Sequence, residues 1–257
     1  ATVIAQGCSA VWVLRFLTGP KAILKLRLGC MKLKASRVKR IITLGLSGFF
    51  MNLTNSLVQV VCNATLQAYG GDLYVGIMTI INSLREVCTM PVQGLSNGAQ
   101  PVTGFNYGAK KYERVRQSIR FSVTGTVLYA AAFWAIAMLF PGFLIRIFNN
   151  EPDVLQHGIP ALRIYFCLFI PMSLQMAGQG VFVSLGRSKQ AVFFSLLRKA
   201  VIVIPLTLLL PRLFGLGVDG VFLAEPISNF IGGAACYVTM LLTIWPELKR
   251  RERSEAA

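Results

Sequence analysis

Between Ile41 and Tyr69, in a run otherwise dominated by Val, Leu and Phe, amides fall at Asn52, Asn55, Gln59, Asn63 and Gln67, in steps of three, four, four and four. On an α-helix that spacing places them on one side. A second stripe follows at Asn82, Glu86, Thr89, Gln93, Asn97 and Gln100, with Arg85 beside Glu86. Further along, Gln175 and Gln179 stand one turn apart, and Glu225, followed by Pro226, precedes Asn229 by one turn. Amides and carboxylates in such rows hydrogen-bond, solvate ions and take up or release protons. A carboxylate in a low dielectric favours its neutral form, and a nearby cation restores the charge, so Glu86 and Glu225 are candidates to bind and release H⁺ or Na⁺. The competing reading is a permanent ion pair with Arg85 or Arg163, and amides that merely join neighbouring helices.

The elements that carry these rows are apolar. The chain of 257 residues is 54% hydrophobic and only 14% charged, against about 25% charged in ordinary soluble domains. Six segments are long enough to cross roughly 30 Å of hydrocarbon as helices: Ile41 to Tyr69, Leu73 to Ser96, Phe121 to Phe140, Ile159 to Leu185, Ala200 to Gly217 and Val221 to Trp245. Their runs are continuous rather than alternating, which selects helices over a barrel. The expected fold is all-α, a polytopic membrane helix bundle of six full transmembrane helices. Residues 1–16 read as the end of a preceding span, residues 17–40 as a basic connecting loop, 41–245 as the six-helix lobe and 246–257 as a tail. Without a basic start or a cleavage site, the first residues do not read as a signal peptide, and the chain reads as part of a longer one.

Net charge is +16, but the Lys and Arg are not spread as on a nucleic-acid-binding surface. Apart from Arg85, Arg146, Arg163 and Arg212 they sit in four blocks, Arg15 to Arg40, Lys110 to Arg120, Arg187 to Lys199 and Lys249 to Arg253. The blocks alternate with connections nearly free of them. The positive-inside rule puts all four in the cytoplasm, with both ends of the six-helix unit on that side. Arg198 and Lys199 are expected at the membrane entrance, their long side chains reaching for water.

Several chemistries are absent from the sequence. There is no HExxH, no paired-Asp motif and one His, His157, expected in a solvated outer loop; no catalytic residue, resident metal or cofactor is expected. The six Cys are scattered and read as small hydrophobes. The sequons at Asn52 and Asn63 fall within the membrane and are not expected to be glycosylated. Prolines and glycines, among them Pro91, Pro101, Pro171, Pro205 and Pro226, mark places where helices bend, as in carriers that alternate between two open states.

The run Pro91 to Arg116, PVQGLSNGAQPVTGFNYGAKKYERVR, resembles the second-repeat signature of the multidrug and toxic compound extrusion family. Ser195 to Leu206, SLLRKAVIVIPL, and the stretch Gly217 to Ser228, which contains GVFLAEPIS, are similar to it too. The resemblance covers the chain from Ala1. It implies a twelve-helix antiporter of two lobes, with this chain as the C-terminal one. Its partners would be the N-terminal lobe, a small organic substrate and the lipid bilayer, and the coupling ion Na⁺ or H⁺. The implied activity is export of organic cations or other amphipathic compounds from the plasma membrane. Two departures stand out: Ile41 to Tyr69 holds no Asp or Glu where many members carry an acid, and Asn229 stands where related bacterial sequences often have Asp. The binding candidates are then Asn55, Gln59, Asn63, Asn82, Arg85, Glu86, Gln93, Asn97, Gln175, Gln179, Glu225 and Asn229. Competing functions are a lipid-linked oligosaccharide flippase, which calls for more cations around its cavity, and a non-transporting structural subunit.

Overall fold

The computed structural model describes residues 2–19, 35–213 and 215–256; the expected basic loop lies largely outside them. The described residues are almost entirely helical, and they fall into two compact units, Ala1–Gly48 and Phe49–Ala257. The first contains α1 (Thr2–Thr18), an apolar helix over the N-terminal stretch, closed by the Thr18 hydroxyl donating to the Leu14 carbonyl at 2.9 Å. Residues 35–40, expected in the loop, already belong to α2 (Ala35–Gly108).

The second unit carries the amide stripes on the two arms of α2, which meet at Gly71. Gly71 has φ 68° and ψ −165°, a conformation open essentially to glycine alone. The Gln67 amide donates to Asp72 Oδ1 at 2.9 Å across this break, so the last member of the first stripe holds the turn. Pro91 and Pro101, expected to interrupt the second arm, lie inside continuous helix.

The next helices are α3 (Tyr112–Leu139), α4 (Pro141–Arg146), α5 (Pro152–Phe166) and α6 (Phe169–Ser184). α5 and α6 form a pair bent by 45°. The bend has a local cause. Pro171 has no N–H to offer the carbonyl of Cys167 one turn earlier, and the Trp134 indole of α3 donates to that carbonyl instead, at 3.1 Å. A freed backbone group in apolar surroundings is thus satisfied by a neighbouring helix. Around the bend Phe133, Phe166 and Phe169 pack with ring centroids 5.3–5.5 Å apart, the centre of one core. His157, expected in a loop, lies on α5, edge-on to Tyr74 at 5.7 Å.

A short α7 (Ser188–Leu196) runs into a π-helical segment, Leu197–Val203, and then α8 (Ile204–Leu209). The Ile204 N–H reaches back to the Lys199 carbonyl, five residues away. Pro205 explains why the wider turn sits here: it cannot complete an α-turn with Val201. The chain turns after Leu209 rather than continuing to Gly217, so this crossing is residues 188–209, displaced toward its N-terminus from the expected Ala200 to Gly217.

The last helix, α9 (Gly217–Ala256), packs along α6, α5 and the π-helical segment. It continues through the expected tail. Its end is tied down by Glu247, which pairs with Arg187 and, at 2.8 Å, with Arg251, and by Glu252 with Arg116 at 3.2 Å. Arg116 and Arg120 lie over the Trp245 ring at 5.8 and 5.2 Å. Among the described residues, α3, residues 188–209 and α9 are long and apolar enough to cross a membrane, and the bent α5–α6 pair makes a fourth. Large apolar side chains such as Phe121 (76% exposed) and Leu242 (71%) point outward, as helices facing lipid require.

Candidate functional site

Inside the second unit, helices α2, α5, α6, α7, the π-helical segment, α8 and α9 surround an open cavity of about 360 Å³. From the first arm of α2 come Asn55, Gln59 and Cys62; from the second, Asn82, Arg85, Glu86 and Gln93. Gln175 and Gln179 of α6 and Glu225 of α9 complete the expected set that it gathers. Residues far apart in sequence therefore meet in one chamber.

Three candidates do not line it. On the first arm the lining ends at Cys62, whose sulfur lies 3.7 Å from the Thr207 hydroxyl, and Asn63 sits outside that boundary. Asn97 is exposed and accepts from the Gln100 amide at 3.2 Å, so this pair satisfies itself. Asn229, 2% exposed, lies behind the wall and accepts a hydrogen bond from Arg198 Nη1.

Arg198 is the larger correction. Placed at the membrane entrance by its sequence, it is instead 8% exposed and donates to Glu225 Oε1 at 2.9 Å, with the Asn229 side chain as its second acceptor. The shift of the helix toward its N-terminus brings it inside, and the π-helical segment carries both Arg198 and Lys199 to the cavity. Gly232 of α9 makes room: a Cβ there would stand 2.9 Å from Arg198 Cγ and 3.0 Å from its Cβ. A signal was present in the sequence. From Ala200 to the turn before Pro211 there are too few residues for a span of about 20, so the helix had to begin upstream of Arg198.

The electrostatic balance follows. Three cations, Arg85, Arg198 and Lys199, line the chamber against two carboxylates, Glu86 and Glu225. Glu225 is bound to Arg198, and among the described residues neither Arg85 nor Lys199 makes a salt bridge. Buried Nε atoms of Arg85 and Arg198, and Oε1 of Gln175, have no hydrogen-bond partner. Such orphan groups cost free energy unless something else satisfies them. Gln179, by contrast, donates to the Ala191 carbonyl at 3.3 Å. Tyr165, Met78, Met172 and Met176 supply apolar wall. Among the described residues no group of three His, Cys, Asp or Glu converges as a metal site, and the described Cys are all unpaired.

Comparison with known proteins decides the family, because the MatE pattern matches residues 48–209, the greater part of the chain and most of the helices that form this chamber. The chain belongs to the MatE family. It is 26% identical over 187 residues to an FAD transporter of Shewanella oneidensis, covering 73% of this chain and 41% of that protein. It is 22% identical over 223 residues to a probable multidrug resistance protein NorM of Thermotoga maritima, covering 87% and 48%. Among solved structures, the MATE multidrug transporter DinF-BH superposes with a TM-score of 0.80 at 33% identity, over 94% of this chain and 54% of that one. The chain thus spans about half the length of the curated relatives it matches. The resemblance seen in the Pro91 to Arg116 motif and the all-helical membrane fold are both confirmed.

Proposed function

We propose that this chain is the C-terminal lobe of a secondary active transporter that moves amphipathic organic compounds across the plasma membrane in exchange for Na⁺ or H⁺. The observation that carries this reading is the chamber itself: amides from α2 and α6 and charged groups from three helices face one open space among apolar helices. A transporter needs a solvated site reachable from alternate sides, and coupling arises when ion and substrate bind the two states with different affinity. The other lobe would close the open side of the chamber, where Asn55, Gln59, Glu86 and Gln93 are exposed. The basic blocks would face the cytoplasm. Glu86, which has no ion-pair partner among the described residues, is the better candidate for the coupling ion. At Glu225 an incoming Na⁺ or proton must compete with Arg198.

The test is flux in vesicles containing the full-length protein, under an imposed Na⁺ or H⁺ gradient, with a cationic rhodamine and fluorescein as transported dyes. Gradient-dependent flux is expected, and its absence for both dyes would remove the reading. A second reading, the lipid-linked oligosaccharide flippase, gains from the three cations around the chamber. It predicts headgroup translocation of a pyrophosphate-linked lipid without an ion gradient.

A further inference from the structure

From the unpaired cations of the chamber we infer that its ligand is an amphipathic organic anion, a carboxylate or phosphate head on an apolar body. Naming the substrate class in this way rests on the transporter reading. Three observations converge. Arg85 lines the cavity with no salt bridge and an orphan buried Nε. Arg198, more than nine-tenths buried, spends Nη1 on Glu225 and Asn229 and leaves its Nε without an acceptor. Lys199 lines the same wall and makes no salt bridge among the described residues.

Guanidinium groups have only donors, so what satisfies them must accept. A carboxylate or phosphate does this with charge-assisted bonds, and a guanidinium fork matches its geometry. A cationic ligand would find one unpaired carboxylate, Glu86, and two unpaired cations. The rest of the wall suits an apolar body. Met78, Met172 and Met176 are flexible and polarisable and adjust to irregular shapes, and the Tyr165 ring adds an aromatic surface. The pair Arg198–Glu225 is then a fixed frame, while Arg85 and Lys199 meet the ligand.

Two xanthene dyes of opposite charge, fluorescein and a rhodamine ethyl ester, provide the test. Binding to the purified full-length protein is followed by fluorescence anisotropy in phosphatidylcholine nanodiscs. Fluorescein is expected to bind about tenfold or more tightly than the rhodamine. Arg85→Gln and Lys199→Gln should each weaken fluorescein about tenfold, the usual worth of a hydrogen bond to a charged group, while Arg85→Lys restores part of the loss. The same substitutions should leave the rhodamine unchanged or bind it better, and Arg250→Gln on the exposed end of α9 should change neither. Should Arg85→Gln not fold, Lys199→Gln and Arg85→Lys carry the comparison. Preference for the rhodamine, or fluorescein binding indifferent to Arg85 and Lys199, overturns the anion site. Displacement of fluorescein by phosphatidylglycerol would assign the head to a resident lipid and overturn a transported solute. Arg85-dependent fluorescein binding without any flux would defeat the transporter reading and keep the anion site. Flux with Arg85-independent fluorescein binding would do the reverse.

Discussion

Glu225 illustrates how far single residues were readable. Its cost in lipid marked it at once, yet its partner was hidden, because Arg198 lies 27 positions upstream and looked like an interfacial anchor. The pair is nearly dry, with side-chain exposures of 9% and 11%. Removing one member of such a pair strands the other, at about 3–5 kcal/mol, whereas replacing both by apolar groups is close to neutral. Glu225→Gln should therefore lower the Tm of the full-length protein sharply, and Arg198→Met combined with Glu225→Leu should recover most of it. Additive destabilisation, with the double change costing the sum of the two single ones, would show that the two do not act as a pair. The amide rows were legible because a period of 3.6 is simple arithmetic. What arithmetic along one helix does not contain is where the cavity stops, which is why Asn63 and Asn97 were counted in.

Among the elements, those most easily read were the long apolar runs, and those least easily read were the joints. Pro91 and Pro101 drew attention as breaks but lie in unbroken helix, while the 45° bend falls between α5 and α6, set by Pro171 and relieved by Trp134. Trp134→Phe keeps the ring and removes the donor, leaving the Cys167 carbonyl unmet. A loss of about 1–3 kcal/mol is expected in unfolding measurements. The contact of α9 with α6 depends on Gly233, where any Cβ would strike the Pro171 carbonyl oxygen of the backbone. At Gly232 the obstacle is the flexible stem of Arg198. Gly233→Ala should accordingly cost more stability than Gly232→Ala, and Gly232→Ala should act chiefly on fluorescein affinity by moving Arg198. The opposite order would mean that the helices yield more readily than the side chain.

At the level of the molecule, the chamber and the ends of the helices have separate tasks. Asn55, Gln59 and Gln93 bring water-compatible groups into an apolar bundle, so Gln59→Cys and Gln93→Cys in the full-length protein should react with a membrane-impermeant maleimide in at least one transport state. Permanent protection of both would remove the solvated pathway. Glu247, 18% exposed, ties Arg187 and Arg251 together at one end, where solvent screening limits its worth. Glu247→Gln should cost only about 1 kcal/mol in unfolding, leaving dye affinities as they were. Family membership was readable from the Pro91 to Arg116 motif because it is local. The charge balance of the chamber was not, since it depends on which of several cations a displaced helix turns inward.

The π-helical segment also bears on how this chain is compared with its kin. A ring closed five residues back holds one residue more than a ring closed four back, so Leu197–Val203 accommodates an extra position without breaking the helix. Opposite a relative whose helix is regular there, a correct alignment opens a single-residue gap within this stretch. Without that gap, every correspondence drawn on one side of it is off by one, and the residue matched to Arg198 or Lys199 is the wrong neighbour.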